Sequence, residues 1–316
     1  MKRKFLKALV VSCVAAMMLV GCGSKGTEGE ISNSGNTITI TDVRGEVEIP
    51  AEPKRIVDLS GNSDILSLLG YEVIGTANSD AYDYTKFPAY LEDTLKGAEI
   101  LGYSMQDTMD VEAVMNLEPD LIVISTVQEK MYDQLSEIAP TVMIQLEALN
   151  WMDDVRAFAK VFDKEDVANQ WLADYEAKAA AAGDAIKAEY GEDTTYLSFL
   201  ASGGQFFIFD GAGFGSVLYE DMGLAKPAGM PAQTDISLPV VTYEGLASIA
   251  TDYIFLIATD EDLAQLESNA IWNSLPAVKE GKVVVLNSSP YFNQGYSSIG
   301  RDLLVDEIGE MLNETK

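Results

Sequence analysis

Residues 111–124 read VEAVMNLEPDLIVI, and residues 243–257 read YEGLASIATDYIFLI. Aligning Glu112 with Glu244 brings Val114 onto Leu246, Leu117 onto Ile249 and Asp120 onto Asp252. An apolar run follows each Asp. The first half carries helical spacing, and the second is a short apolar run rich in Val, Ile, Leu and Phe, so each copy reads as helix, loop and buried strand. A helix-then-strand unit written once in each half of the chain predicts two α/β lobes with parallel strands. A spacing of about 130 residues is far too long for a solenoid repeat.

The rest of the chain fits that frame. Arg55–Leu59, Val73–Gly75, Leu121–Ser125 and Thr141–Ile144 read as strands of the first lobe, with a helix from Asp64 to Leu69. Thr37–Ile40 and Val47–Ile49 read as a hairpin around Arg44-Gly45. Residues 164–190 carry no Pro and a single Gly and are rich in Ala, Glu and Lys, which predicts one long helix of about 40 Å. Beyond Gly191 the α/β rhythm restarts, with strands at Thr195–Leu200, Phe206–Phe209 and Lys282–Leu286. Ser289–Tyr296 reads as an aromatic loop, and Ile299–Leu312 as a terminal helix. The expected division is therefore 1–21 signal segment, 22–36 tether, 37–163 first lobe, 164–190 linker helix and 191–316 second lobe. The fold class is α/β, two Rossmann-like lobes with mostly parallel sheets, joined by one long helix and facing each other across a ligand cleft.

Composition narrows the function. Of 316 residues, 50 are acidic and 21 basic, a net charge of −29. Such a surface repels nucleic acid and anionic headgroups, so neither is expected as a partner of the folded body. The chain has no His. That removes Ser-His-Asp and Cys-His nucleophilic machinery, zincin motifs and His-based metal sites. Gly211-Ala212-Gly213-Phe214-Gly215 lacks the spacing of a dinucleotide fingerprint and reads as a turn. Paired carboxylates carry little information among 50 acids.

The first residues are distinct. Met1-Lys2-Arg3-Lys4 is basic, Ala8–Val20 is nearly all apolar, and Leu19-Val20-Gly21-Cys22 follows. Thirteen apolar residues suit the core of a secretory signal rather than a bilayer span. Small residues before Cys22 resemble a bacterial lipobox, which implies cleavage before Cys22 and lipid on that residue. Cys13 leaves with the signal, so the mature body has no disulfide. The Gly/Ser/Glu-rich stretch from Gly23 to Gly35 reads as a flexible tether.

Open α/β sheets bind ligands beyond the carboxyl ends of their strands. Residues just after the expected strands are therefore the candidate ligand contacts. In the first lobe they are Asn62, Ser63, Tyr103, Thr126 and Gln128; in the second, Ser202, Gln205, Phe206, Tyr291, Phe292, Tyr296 and Arg301.

Several stretches together resemble the substrate-binding lipoproteins of ABC importers, in the class whose lobes share one helix. They are Asp42–Pro50 with Pro53–Val57, then Leu117-Glu118-Pro119-Asp120-Leu121-Ile122-Val123, then Trp272–Val283. The resemblance covers nearly all the mature chain. It implies an extracytoplasmic, lipid-anchored, non-enzymatic monomer that captures a ferric siderophore, with haem or cobalamin as alternatives, and delivers it to a dimeric permease. It implies no cofactor of the protein's own, iron entering only as part of the bound siderophore. It further implies that Glu112 and Glu244, one per lobe, dock on permease Arg residues. A tris-catecholate is trianionic and needs several cations, whereas the strand-end positions offer only Lys130 and Arg301. A neutral or cationic ferric hydroxamate, or cobalamin, fits better. A surface hydrolase using two carboxylates is the alternative from a different class; release of the ligand unchanged separates the two. A scaffold or adhesion protein would show no small-molecule thermal shift. A single hinge helix predicts only small lobe closure.

Overall fold

The computed structural model describes residues 37–146 and 149–315. The signal segment, the tether and Cys22 lie outside the described residues. The chain opens with an antiparallel hairpin, β1 (Thr37–Asp42) and β2 (Gly45–Pro50), in register Asp42↔Gly45 at the turn. The Asp42 carboxylate accepts from the Arg44 and Gly45 amides, which closes the turn. Its other oxygen accepts from the Met143 amide at 2.8 Å and so docks the hairpin on the first lobe.

That lobe contains β3 (Ile56–Asp58), α1 (Ser63–Leu68), β4 (Val73–Thr76), β5 (Glu99–Ile100), α2 (Val111–Asn116), β6 (Leu121–Ser125), α3 (Tyr132–Ser136) and β7 (Thr141–Ile144). Its sheet runs β5-β4-β3-β6-β7 with every pair parallel. All residues of β3, β6 and β7 are buried, as expected for strands covered on both faces. Two helices then leave the sheet: α4 (Trp151–Val161) and the 26-residue α5 (Glu165–Tyr190). The sequence reading included α5 and missed α4.

The second lobe contains β8 (Tyr196–Ser202), β9 (Gln205–Ile208), α6 (Gly213–Ser216) running on as a π-turn to Asp221, β10 (Val240–Val241), α7 (Tyr243–Ala247), β11 (Tyr253–Ala258), α8 (Asp260–Glu267), α9 (Pro276–Lys279), β12 (Val283–Asn287), α10 (Ser288–Gln294) and α11 (Ser298–Asn313). Its sheet order is β10-β9-β8-β11-β12. The expectation of mostly parallel strands holds here too, with one reversed strand. β8, β10, β11 and β12 run the same way, and β9 alone is reversed, antiparallel to its neighbours β8 and β10. The cause is Gly203-Gly204, both at positive φ, which form the two-residue turn of a tight hairpin. The aromatic stretch read as a loop is also different: Ser288–Gln294 is helical except at Ser289, whose extended backbone (φ −95°, ψ 127°) breaks it, and Pro290 opens the regular turn, where a missing N–H costs nothing.

The repeated Asp has a clear role. The Asp120 carboxylate accepts from the Lys54 and Arg55 amides, 2.8 and 2.9 Å, and its own amide donates to the Arg55 carbonyl. The Asp252 carboxylate accepts from the Thr195 amide and hydroxyl, 2.9 and 2.8 Å, and its amide donates to the Thr195 carbonyl. Arg55 and Thr195 stand immediately before β3 and β8, the sheet neighbours of β6 and β11. Each Asp thus ties the starts of two adjacent parallel strands together and sets their register.

Each sheet has an apolar cluster on either face. Trp151, Met152 and Trp171 pack against both the first-lobe cluster around Phe158 and the second-lobe cluster around Phe214, so α4 and α5 join the two cores. The Gly in α5 is explained by close approach. A Cβ on Gly183 would lie 1.8 Å from the carbonyl oxygen of Met222. Gly183→Ala gains helix propensity worth about 1 kcal/mol. The forced backbone shift outweighs it, and a net loss of about 1–3 kcal/mol is expected in urea unfolding. An Ala variant as stable as the parent would contradict this packing.

Candidate functional site

The carboxyl ends of β3 and β4 make a hydrogen-bonded knot. Asp58, fully buried, accepts from the Ser60 amide and hydroxyl, the Asn62 amide and the Ser63 hydroxyl. Burial pushes its pKa up against the pull of those four bonds. Ser63 also shares a hydrogen bond with Thr76, and Asn78 donates to the Gly61 carbonyl. Ser63 is therefore committed to the scaffold, and Asn62, half-buried, flanks the knot. Gln128 is likewise committed. Its oxygen accepts from the Ser125 amide and hydroxyl, and its nitrogen donates to the carbonyls of Ser104 and Gln106. Gln128 is fully buried, pinning the 103–106 turn on which Tyr103 stands. Thr126, half-buried, opens the 3-10 turn after β6.

Above this knot the two lobes meet. Asp64, on α1, accepts from the Ser297 hydroxyl at 2.7 Å and the Ser298 amide at 2.6 Å. These are the cap and first residue of α11, so a first-lobe carboxylate sits at the N-terminus of a second-lobe helix of 16 residues. Burial raises the pKa of Asp64 despite these bonds. Asp80 accepts from the Ser289 hydroxyl of α10. Tyr103 meets Asn293 of α10, and that hydrogen bond tempers the upward push that burial, Tyr84, Tyr82 and Asp80 exert on its phenol.

Aromatic rings line the seam on both sides. Tyr84 and Tyr103 are stacked, centroids 5.1 Å apart. Tyr82 stands edge-on to Phe292 at 6.1 Å, and Phe292 lies 6.3 Å from Tyr296. Tyr82, Tyr84, Met105 and Tyr296 are all exposed, at 45%, 50%, 57% and 39%, an unusual density of large side chains in water. Ser202 and Gln205 flank the β8–β9 turn at the rim. Asp262 holds that turn through the Gly203 amide, and its charge also reaches the Tyr82 phenol.

Three expected ligand contacts are placed elsewhere. Phe206 is 1% exposed and packs edge-on against Phe199 and Tyr243, because the hairpin turns its side chain into the sheet-helix layer. Arg301 is buried: it pairs with Asp221 at 2.7 Å, donates to Ser216, and stacks over Trp151 at 4.8 Å. Tyr291 faces away from Phe292, into a groove between β12 and α11. Conversely, Tyr82, Tyr84, Asp80 and Asn293 were missed. Four aromatics within the irregular stretch 80–90, directly after a strand, were the available signal.

Cations near the cleft are neutralised. Lys86 pairs with Asp83, whose carboxyl it holds down to about 2 together with Thr85. Lys130 pairs with Asp107 at 2.6 Å, and Arg301 with Asp221.

Glu112 and Glu244 occupy the same position in α2 and α7, two residues after the caps Asp110 and Thr242. Both are exposed, and neither carboxylate has a partner among the described residues. The Met109 amide contacts Met131, beyond the carboxyl end of β6. Val241 pairs with Phe206, next to the β8–β9 turn. Both Glu therefore stand on the side of the lobes where the strand ends open.

Two α/β lobes on one helix, with an aromatic seam between the strand ends, define a two-lobed binding protein. Residues 60–290 match the periplasmic binding protein family, and the chain belongs to it. The iron(3+)-hydroxamate-binding protein FhuD of Bacillus subtilis (strain 168) is 33% identical over 307 residues, 91% of this chain and 90% of that protein. Unliganded FhuD2 of Staphylococcus aureus superposes with a TM-score of 0.72 at 26% identity, covering 89% of this chain and 99% of that one. Staphylococcus aureus SirA complexed with staphyloferrin B gives 0.70 at 26% identity, covering 89% and 100%.

Proposed function

We propose that the protein binds a ferric hydroxamate siderophore between its lobes and delivers it, chemically unchanged, to an ABC permease. The observation that carries this reading is the aromatic cleft whose neighbouring cations are all paired with acids. A trianionic catecholate would meet Asp80 and Asp262, while Lys86, Lys130 and Arg301 are already paired with acids among the described residues, whereas a neutral or cationic hydroxamate pays no such charge penalty. Aromatic walls supply area at low entropy cost, and the phenols of Tyr82, Tyr84 and Tyr103 give directed hydrogen bonds. The likeness to hydroxamate-binding FhuD supports the same class. On this reading iron is cargo, the protein needs no cofactor and catalyses nothing, Cys22 carries a lipid anchor outside the cytoplasm, and the monomer docks through Glu112 and Glu244. The contacts of α11 and α10 with the first lobe favour small closure.

Titration of intrinsic fluorescence tests it, since Trp151 and Trp171 sit at the lobe junction. Ferrioxamine B is expected to bind tightly, with a ferric tris-catecholate and cyanocobalamin far weaker. Tight binding of the catecholate alone would overturn the assignment. Tyr84→Ala with Tyr103→Ala removes one wall and is expected to weaken ferrioxamine binding by about a hundredfold, on the order of 3 kcal/mol.

A further inference from the structure

A groove of about 490 Å³ lies outside the cleft, along the free edge of the second-lobe sheet. Its floor is β12, every residue of which lines it. β12 pairs with β11 on its inner side, and among the described residues nothing pairs with its outer side. The opposite wall is α11 with its C-cap, which present Glu307, Glu310 and the cap residue Glu314, with Met311 between them. Tyr291 of α10 also lines the groove. No Lys or Arg lines it, and α10 and β12 contribute no charge to it.

An unpaired strand is a template for another strand, and natural edges are usually blunted by Lys, Pro or a bulge. Val-Val-Val-Leu-Asn at 283–287 has none of these, and Val285 is 48% exposed. Three carboxylates stand over this edge on one helix face. Burial, with Asp306 and Glu310 nearby, raises the pKa of Glu307, against the pull of a hydrogen bond from Gln294. A second copy of this chain would bring three Glu against three Glu, which like-charge repulsion opposes. The complementary occupant is extended and cationic.

We propose that this groove takes a basic, extended peptide segment of a partner protein as an added strand beside β12, with its Lys or Arg side chains against Glu307, Glu310 and Glu314. Main-chain hydrogen bonds to β12 would supply affinity, and the acidic wall would supply selectivity. The groove shares α10 with the cleft, because Ser289 and Asn293 face the first lobe while Tyr291 faces the groove.

The test is amide NMR of the isotope-labelled protein with three synthetic hexapeptides. One alternates lysine and valine, one glutamate and valine, and the third is the lysine–valine peptide N-methylated on the backbone. The lysine–valine peptide is expected to shift amides of β12 and α11 saturably. The N-methylated form should bind at least about tenfold more weakly, and the glutamate form not at all. Glu310→Lys with Glu314→Lys should cost about tenfold while ferrioxamine binding is unchanged. Equal binding of the N-methylated peptide, no shifts in β12 at millimolar peptide, or self-association through β12 would each overturn the proposal. The ferrioxamine titration of the same samples separates this outcome from failure of the siderophore reading.

Discussion

Charge reversal of both Glu112 and Glu244 to Lys is expected to abolish ferrioxamine-dependent iron uptake and to leave ferrioxamine affinity within about twofold. Both residues are exposed and lack partners among the described residues, so stability should change little. The small loss comes from replacing a carboxylate by a cation near a helix N-terminus, about 0.3–1 kcal/mol per site. At a permease surface the outcome differs. A carboxylate accepts two parallel hydrogen bonds from an Arg, and a Lys in its place sets like charges face to face, costing several kcal/mol. Each 1.4 kcal/mol is a factor of ten, so reversal at two sites reduces docking by about a thousandfold or more. Single reversals should give intermediate uptake. A drop in ligand affinity would place these residues on the ligand rather than on the permease.

The second large effect is at Arg301. Arg301→Ala is expected to destabilise the fold by about 3–5 kcal/mol, because Asp221 would be left buried without its cation. The side chains of the pair are 3% and 4% exposed. The Tyr175 hydroxyl also donates to Asp221, so the uncompensated charge would sit where the linker helix meets the second lobe. The stack on Trp151 would be lost as well, loosening α11 from α4. Urea unfolding should show a lowered midpoint, with ferrioxamine affinity of the folded fraction unchanged. Replacing the pair together, Arg301→Met with Asp221→Leu, should recover most of the loss, since it is the orphaned charge that costs. If Arg301→Ala instead removes ligand binding at unchanged stability, Arg301 belongs to the cleft.

Arg301 also shows where sequence reading stops. It follows Tyr296 closely and, with Lys130, was one of the two cations that the strand-end positions offered an anionic ligand. Its partner Asp221 lies 80 positions away, and no local pattern announces the pair. The repeated stretches were far more legible. Their apolar spacing states the helix–loop–strand unit, and the aligned Asp120 and Asp252 prove to brace neighbouring strands. The aligned Glu residues have no such structural task, as both are exposed and unpartnered. Phe206 was misplaced because strand order, not strand content, decides which side of QFFI faces inward. Gly203-Gly204 carried the hairpin signal that reverses β9. The aromatic run at 291–296 divides between two surfaces, because a helix sends Tyr291 and Phe292 in directions that a loop reading does not separate. Tyr82 and Tyr84 come from a segment without periodicity, whose position is set by Asp80 and by stacking on Tyr103, both tertiary.

The central claim is that a ferric chelate sits between the aromatic walls at the strand ends. The most direct test is a crystal structure with ferrioxamine B, using anomalous scattering at the iron edge to locate the metal. The account predicts one iron peak between the Tyr84–Tyr103 stack and the Phe292–Tyr296 pair, with the chelate touching both lobes. An iron peak outside this seam, or a fully occupied chelate bound to one lobe only, would contradict it.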